Sequence, residues 1–278
     1  MAQTAKNLSE IDPVWERIRR DAKDLADREP VMAGMVHSSI LHHSSLEKTL
    51  GYRVALKLSN DEMTPQILRE IVDAAYADDS SLGDDARADI TAVLERDPAC
   101  HSPLQPLLFF KGFQALQAYR VAHWLWKQGR IALATYLQNQ ISVACQVDIH
   151  PAARIGKAIM LDHATGIVIG ETAVVENDVS ILQDVTLGGT GKEGGDRHPK
   201  IREGVMIGAG AKILGNIEVG EGAKIGSCSV VLQAVPPHTT VAGVPAKIVG
   251  KPKTDKPSLD MDQGFNGRSQ NFIHGDGI

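Results

Sequence analysis

The sequence predicts an α + β chain: an all-helical N-terminal region followed by a parallel β-helix of hexapeptide repeats. Two observations predict it. Apart from Phe265 and Phe272, every aromatic residue lies between Trp15 and Tyr136, whereas only Gly34, Gly51, Gly83, Gly112 and Gly129 of the 26 glycines precede residue 145. That shift in composition marks a domain boundary. Beyond it, aliphatic residues recur every six positions, a spacing that suits neither the 3.6-residue period of a helix nor the two-residue alternation of one long strand.

The helical elements follow in order. Asp12-Pro13 opens a segment with Trp15, Ile18, Ala22 and Leu25 on one face, and further helices are expected at about residues 31–43 and 46–58. Thr64 is an N-cap with Pro65 at the first helical position, leading into Ile67, Leu68, Ile71 and Ala75. Others are expected at about 84–96, 105–128 and 131–144. The stretch LLFFKGFQALQAYRVAHWLWKQGR is apolar on much of its circumference, so it should be a central helix or a subunit contact.

The repeats begin with Ile155 and Leu161, continue through Ile169, Val175, Ile181 and Leu187, and end with Ile201, Ile207, Ile213, Val219, Ile225 and Val231. A second apolar residue, such as Ala153, Ile167 or Val205, sits two positions before most of them. This is the pattern of a short strand plus a turn, three of which close one coil of a prism. Residues 147–250, less one loop, give roughly five coils. A single coil cannot bury its own apolar face, so the stack must be continuous.

The period slips twice. Leu161 and Ile169 are eight apart, with the extra residues in DHATG, and Leu187 and Ile201 are fourteen apart, with a loop in GGTGKEGGDRHPK. Insertions in repeat proteins map to loops on one face, often the binding face. The slips hold His163 and His198, and His150 precedes the first clear repeat. Imidazole can take and return a proton near neutrality, which makes His163 the candidate general base. Asp148 lies fifteen residues earlier, nearly one coil, so it is expected beside His163 on the neighbouring rung. Asp162 is adjacent in sequence and would face the other way in a strand. No serine or cysteine stands in a nucleophile elbow, so the base is expected to act on a substrate hydroxyl without a covalent enzyme intermediate. Arg197 and His198 suit a cationic clamp for a carboxylate. The three histidines could in principle serve zinc, but the Asp and Arg residues beside them suit an amino-acid zwitterion better, and no metal is expected.

Composition excludes other classes. The chain has 278 residues, 43% apolar and 23% charged, with a net charge of −5, which supplies no basic field for nucleic acid or an anionic membrane. No 18-residue apolar run is present, and MAQTAKNLSE lacks the features of a signal peptide, so a cytoplasmic location is expected. Cys100, Cys145 and Cys228 have no CxxC spacing, which fits reduced thiols.

The run VDIHPAARIGKAIMLDHATGIVIGETAVVENDVSILQDVTLGGTGKEGGDRHPKIREGVMIGAGAKILGNIEVGEGAKIG, the later VAGVPAKIVGKP, and the upstream RDPA and KGFQALQAYRVAHWLW together resemble the bacterial serine O-acetyltransferases, which are hexapeptide-repeat acyltransferases. The likeness covers nearly the whole chain. It implies a helical N-terminal domain (1–145), a left-handed parallel β-helix (146–250) and a tail (251–278), with homo-oligomeric packing as trimers that pair into a hexamer. It also implies transfer of acetyl from acetyl-CoA, a co-substrate with no permanently bound cofactor beside it, to the hydroxyl of L-serine, the first step of cysteine biosynthesis. Carried onto matching positions, His163 is the general base and Asp148 its partner; Asp97 and Asp162 would hold the substrate ammonium, and Arg197 with His198 its carboxylate. Gly189, Thr190, Ala209 and Gly210 would line the acetyl-CoA site between adjacent β-helices, where small residues and bare amides let the pantetheine arm lie close. Lys247 and Lys251 would meet the CoA phosphates.

The tail is rich in Pro, Asp, Gly and Asn and is expected to be flexible. Its end, Gly277-Ile278, resembles the family's peptide that enters the active site of O-acetylserine sulfhydrylase, with Ile278 as the contact. The resemblance further implies inhibition by L-cysteine.

Overall fold

The six-residue spacing becomes three-sided coils in the computed structural model, which describes residues 12–191 and 194–264. One face stacks β1 (Val147–Ile149), β4 (Ile167–Ile169), β7 (Thr186–Gly188), β10 (Lys212–Leu214) and β13 (Val230–Val231). The second stacks β2 (Arg154–Ile155), β5 (Val174–Val175), β8 (Lys200–Ile201) and β11 (Glu218–Val219). The third stacks β3 (Met160–Leu161), β6 (Ser180–Ile181), β9 (Met206–Ile207), β12 (Lys224–Ile225) and β14 (Thr240–Gly243), closed antiparallel by β15 (Ala246–Gly250). With its hexapeptide repeats this is a left-handed parallel β-helix of about five turns.

The repeat aliphatics stack in line because equal spacing puts them at the same point of successive coils. Ile149, Ile169, Leu187, Ile213 and Val231 follow one another inside the first face, and Leu161, Ile181, Ile207, Ile225 and Val241 inside the third. All of these are buried, so each coil is roofed by the next. The first coil is longer than the second: Val147 lies opposite Ile167, twenty residues on, whereas Val168 lies opposite Thr186, eighteen on. The difference is the DHATG insertion.

The helical part comprises α1 (Pro13–Arg28), α2 (Ala33–Val36), α3 (Leu46–Leu58), α4 (Pro65–Asp78), α5 (Ser81–Arg96), α6 (Leu104–Leu108), α7 (Lys111–Lys127) and α8 (Ile131–Cys145). The expected helix at 31–43 is broken into a 3₁₀ turn (Pro30–Met32), α2 and a π-helical turn (His37–Leu41). The helix expected at 105–128 is also divided: Phe110 is extended (φ −89°, ψ 106°) and separates α6 from α7. α7 is central, with every residue from Gly112 to Ala122 buried. Among the described residues no helix is long and apolar enough to cross a membrane.

A buried ionic joint fastens the helices to the first coil. Asp89 of α5 is fully buried and accepts from Arg120 Nε and Nη2 of α7 (3.1 and 2.7 Å), from Gln117 Nε2 (2.9 Å) and from the Ile159 amide (2.9 Å). Arg120 Nη2 also donates to the Gly156 carbonyl at 2.8 Å. Burial opposes the guanidinium's charge, but Asp89 and Asp85 outweigh it.

Residues 251–264, expected to be flexible, are instead fastened to the coils, and α9 (Pro257–Asp260) forms within them. Lys256 Nζ binds Asp178 and Glu203 (3.0 and 2.6 Å), Ser258 Oγ donates to the Asp178 carbonyl, and Ser180 Oγ donates to the Ser258 carbonyl at 2.9 Å. Polar contacts to a coil corner do what the segment's few apolar side chains cannot.

Replacing Asp89 by Asn keeps its shape but removes the charge that Arg120 faces. Unfolding in urea should then cost about 3 kcal/mol less; a loss well under about 1 kcal/mol would show that the joint is dispensable.

Candidate active site

Two different corners of the prism carry the polar residues that the sequence singles out. The first joins β3 to β4 and begins with Asp162 and His163. With the end of α5 and the start of α7 it encloses a cavity of about 420 Å³ lined by Asp97, Lys111, Asp162 and His163, with apolar walls that include Val93, Phe110 and Met160. Asp97 arrives as the C-cap of α5, its Oδ1 fixed by the Ala99 amide at 2.8 Å. Burial pushes the Asp162 carboxyl above the ordinary aspartate range; His163 pulls it back, and the charge on Asp97 adds to the push. Two carboxylates at a half-closed apolar cavity invite a cation, which would relieve both the repulsion and the burial cost.

His163 Nε2 lies 3.9 Å from Asp162 Oδ2, and the imidazole is 74% exposed. The backbones of His163 and Ala164 are both left-handed (φ 53° and 62°). Each non-glycine residue in that conformation costs about 1–2 kcal/mol, so the insertion forms a strained turn that turns the imidazole out of the corner. α7 lies directly against it. A Cβ on Gly112 would sit 2.1 Å from the Leu161 carbonyl oxygen, so only glycine fits there.

Asp148 does not stand beside His163 within the chain. Because the first coil takes twenty residues, a separation of fifteen falls short of a full turn, and Asp148 sits on the flat first face opposite Val168. Gln138 Nε2 of α8 donates to its Oδ1 at 2.7 Å.

The second corner joins the first face to the second face. Thr172 organises it: its Oγ1 accepts from the amides of Arg197 and His198 (3.0 and 3.1 Å), and its amide donates to His198 Nδ1 at 3.2 Å. With Nδ1 accepting, the ring proton belongs on Nε2. Burial, then the charge on Arg197, pulls the His198 pKa below the ordinary histidine range. Both effects favour the neutral ring over the cation expected from the sequence, and a neutral ring with its proton on Nε2 is a donor. Its ring lies on Gly170, where a Cβ would come within 2.1 Å of Nε2. Arg197 Nη2 binds Glu171 Oε2 at 2.6 Å, and the guanidinium holds the Glu171 carboxyl below the usual carboxylate range.

The structure thus brings Asp97, Asp162 and His163 to one corner and Arg197 and His198 to another. The acetyl-CoA candidates divide the same way. Gly189 and Thr190 follow β7 at the second corner, beside Arg197, whereas Ala209 and Gly210 lie on the first, two coils beyond His163. Lys247 belongs to β15, with Lys251 just after it. Ile278 lies outside the described residues. His150 packs edge-on against Trp126 at 5.0 Å, and among the described residues no group of three His, Cys, Asp or Glu side chains is arranged to hold a metal. Sequence reasoning missed Lys111, Glu171 and Thr172. The last two follow the repeat aliphatic Ile169 and could have been found by placing GET opposite DRHPK; Lys111 was hidden in an apolar helix.

A family model for the N-terminal region of serine acetyltransferases matches residues 14–118, and one for bacterial transferase hexapeptide repeats matches residues 198–233. The serine acetyltransferase of Escherichia coli K12 is 65% identical over 272 residues, covering 98% of this chain and 100% of that protein. The chain belongs to the serine acetyltransferase family. Solved serine acetyltransferases share its fold. That of Vibrio cholerae is 69% identical, with a TM-score of 0.90 over 91% of this chain and 98% of its own. One in complex with cysteine is 62% identical (TM-score 0.89, 91% and 98%), and that of Brucella abortus in complex with coenzyme A is 51% identical (TM-score 0.87, 88% and 98%).

The raised pKa of Asp162 means that the folded chain holds a proton there more tightly than the unfolded chain. Its contribution to stability is therefore present at low pH and is lost as pH rises through the raised value. Melting curves of the ligand-free protein should show Asp162→Asn and the parent alike near about pH 4, with the variant higher by about a degree or more near pH 8. A variant less stable than the parent near pH 8 would contradict the burial argument.

Proposed function

We propose that the chain transfers the acetyl group of acetyl-CoA to the hydroxyl of L-serine, giving O-acetyl-L-serine and CoA, with His163 as the general base. The observation that carries this is the first corner: an exposed imidazole on a strained turn beside two carboxylates that call for an ammonium group. His163 takes the proton of the serine hydroxyl as its oxygen attacks the thioester carbon. The tetrahedral intermediate then expels the CoA sulfur, and the imidazolium returns the proton to the thiolate.

Asp97 and Asp162 would hold the serine ammonium, and Arg197 with the Nε2–H of His198 its carboxylate. Since these groups occupy separate corners, a complete site needs a second copy whose Arg197 corner meets the His163 corner of the first. The first face between the corners offers a surface for this, with Val143 of α8 and Val168 exposed at 72% and 40%. Asp148, on that face, would reach the base from the neighbouring copy and fix its tautomer. Acetyl-CoA would run in the groove between copies along Gly189, Thr190, Ala209 and Gly210, with Lys247 and Lys251 at its phosphates. Homo-trimers pairing into hexamers follow from the family resemblance, as does the contact of Ile278 with O-acetylserine sulfhydrylase in the cytoplasm. A relative is found in complex with cysteine, and L-cysteine would occupy the same zwitterion clamp here and inhibit.

Thiol release from acetyl-CoA should require L-serine, be suppressed by L-cysteine, and fall on the order of 100-fold or more in His163→Ala. A folded His163→Ala protein with near-parental turnover would remove the base. Co-assembled His163→Ala and Arg197→Ala chains should regain activity that neither has alone, because some interfaces then pair two intact corners. No regain from mixed oligomers would mean that each site is built within one chain.

A further inference from the structure

We infer that Lys111 is a positioning residue for His163, acting through Thr165; the inference rests on reading His163 as the base. The DHATG turn has three left-handed residues, His163, Ala164 and Gly166. Its internal bonds, Ala164 N to the Asp162 carbonyl and Thr165 N to the His163 carbonyl (2.9 Å), join residues of the turn to one another and do not fix it to the prism. The turn is anchored at its ends: the Asp162 amide donates to the Ile181 carbonyl at 2.8 Å, and the Gly166 amide to the Gln146 carbonyl at 2.8 Å. Between these anchors, the contacts from outside the turn come at Thr165 and from α7. The Asp184 amide donates to the Thr165 carbonyl at 2.7 Å, and Lys111 Nζ donates to Thr165 Oγ1. The next residue of the helix, Gly112, lies against the Leu161 carbonyl and the Ala164 methyl.

Lys111 lines the cavity, and its ammonium donates to Thr165. Since Asp162 is pinned independently through its amide, loss of the Lys111 bond frees His163 more than it frees the ammonium clamp. The effect should fall on the chemical step. Displacing a catalytic group by about an ångström costs up to about 100-fold.

Lys111→Met, Thr165→Val and the double variant would be compared by steady-state kinetics, with melting curves to establish folding. Each single variant should lose about tenfold or more in kcat with KM for L-serine changed by less than about twofold, and the double variant should lose no more than the worse single one. Lys111→Arg, which keeps a cationic donor on a long stem, should recover part of kcat. Losses that multiply in the double variant would overturn the inference. So would a Lys111→Met protein with unchanged kcat and raised KM for serine, which would make Lys111 a substrate contact. The two readings fail separately: an active His163→Ala protein removes the base itself, whereas an inactive His163→Ala beside a fully active Lys111→Met removes only the role of Lys111.

Discussion

The carboxylate of Asp89 holds the helical domain and the first coil in one rigid relation. It is fully buried and takes four hydrogen bonds, two from Arg120, one from Gln117 and one from the backbone of Ile159. Ile159 directly precedes β3, and β3 leads into Asp162 and His163. Asp97, the other carboxylate of the cavity, caps the helix that carries Asp89. One charge therefore sets the distance between two groups that belong to different halves of the chain, and a buried charge tolerates no drift because its partners cannot be replaced by water.

The two corners solve different electrostatic problems with the same fold. The first keeps acidic groups at an apolar cavity and is strained in its backbone, so it is unfavourable until something cationic arrives. The second satisfies itself: Thr172 binds both neighbouring amides and the imidazole, Glu171 pairs with Arg197, and burial favours the neutral form of His198. Such a corner presents directed donors at little cost of reorganisation, as recognition of a carboxylate requires. Because an insertion in a β-helix changes only its own coil, each corner can depart from the repeat while the inward ladder of aliphatics above and below stays intact.

Much of this was legible in the sequence. The ladder of Ile169, Leu187 and Ile213 could be read because inward packing forces equal spacing, and both slips in that spacing fell at the two corners. The break at Phe110 was not legible, since one glycine in FFKGF is too weak a signal to divide an otherwise continuous apolar pattern; the close approach of Gly112 to the Leu161 carbonyl is a tertiary contact that no local pattern expresses. The place of Asp148 was not legible, because the DHATG insertion lengthens its coil to twenty residues and a separation of fifteen then falls short of a full turn. The downward shift of His198 comes from burial and from the charge on Arg197, which no linear pattern of residues expresses. Lys111 gains its meaning only from its reach to Thr165, a contact between residues 54 apart that no local pattern expresses.

The docked segment after Gly250 has a consequence for the order in which the molecule is made. Arg96, at the end of α5, is buried where it meets Ser180 and Asp178, and those same residues are held by Ser258 and Lys256. Arg96 emerges from the ribosome more than 150 residues before Ser258. Through most of synthesis the junction between helices and coils thus stands open on one side, and it is sealed only once the chain has passed the whole β-helix and doubled back. Completion of the solenoid and the packing of Met261 against the apolar cluster of Val93, Cys100 and Met160 are in this way tied to a late event in the life of the nascent chain.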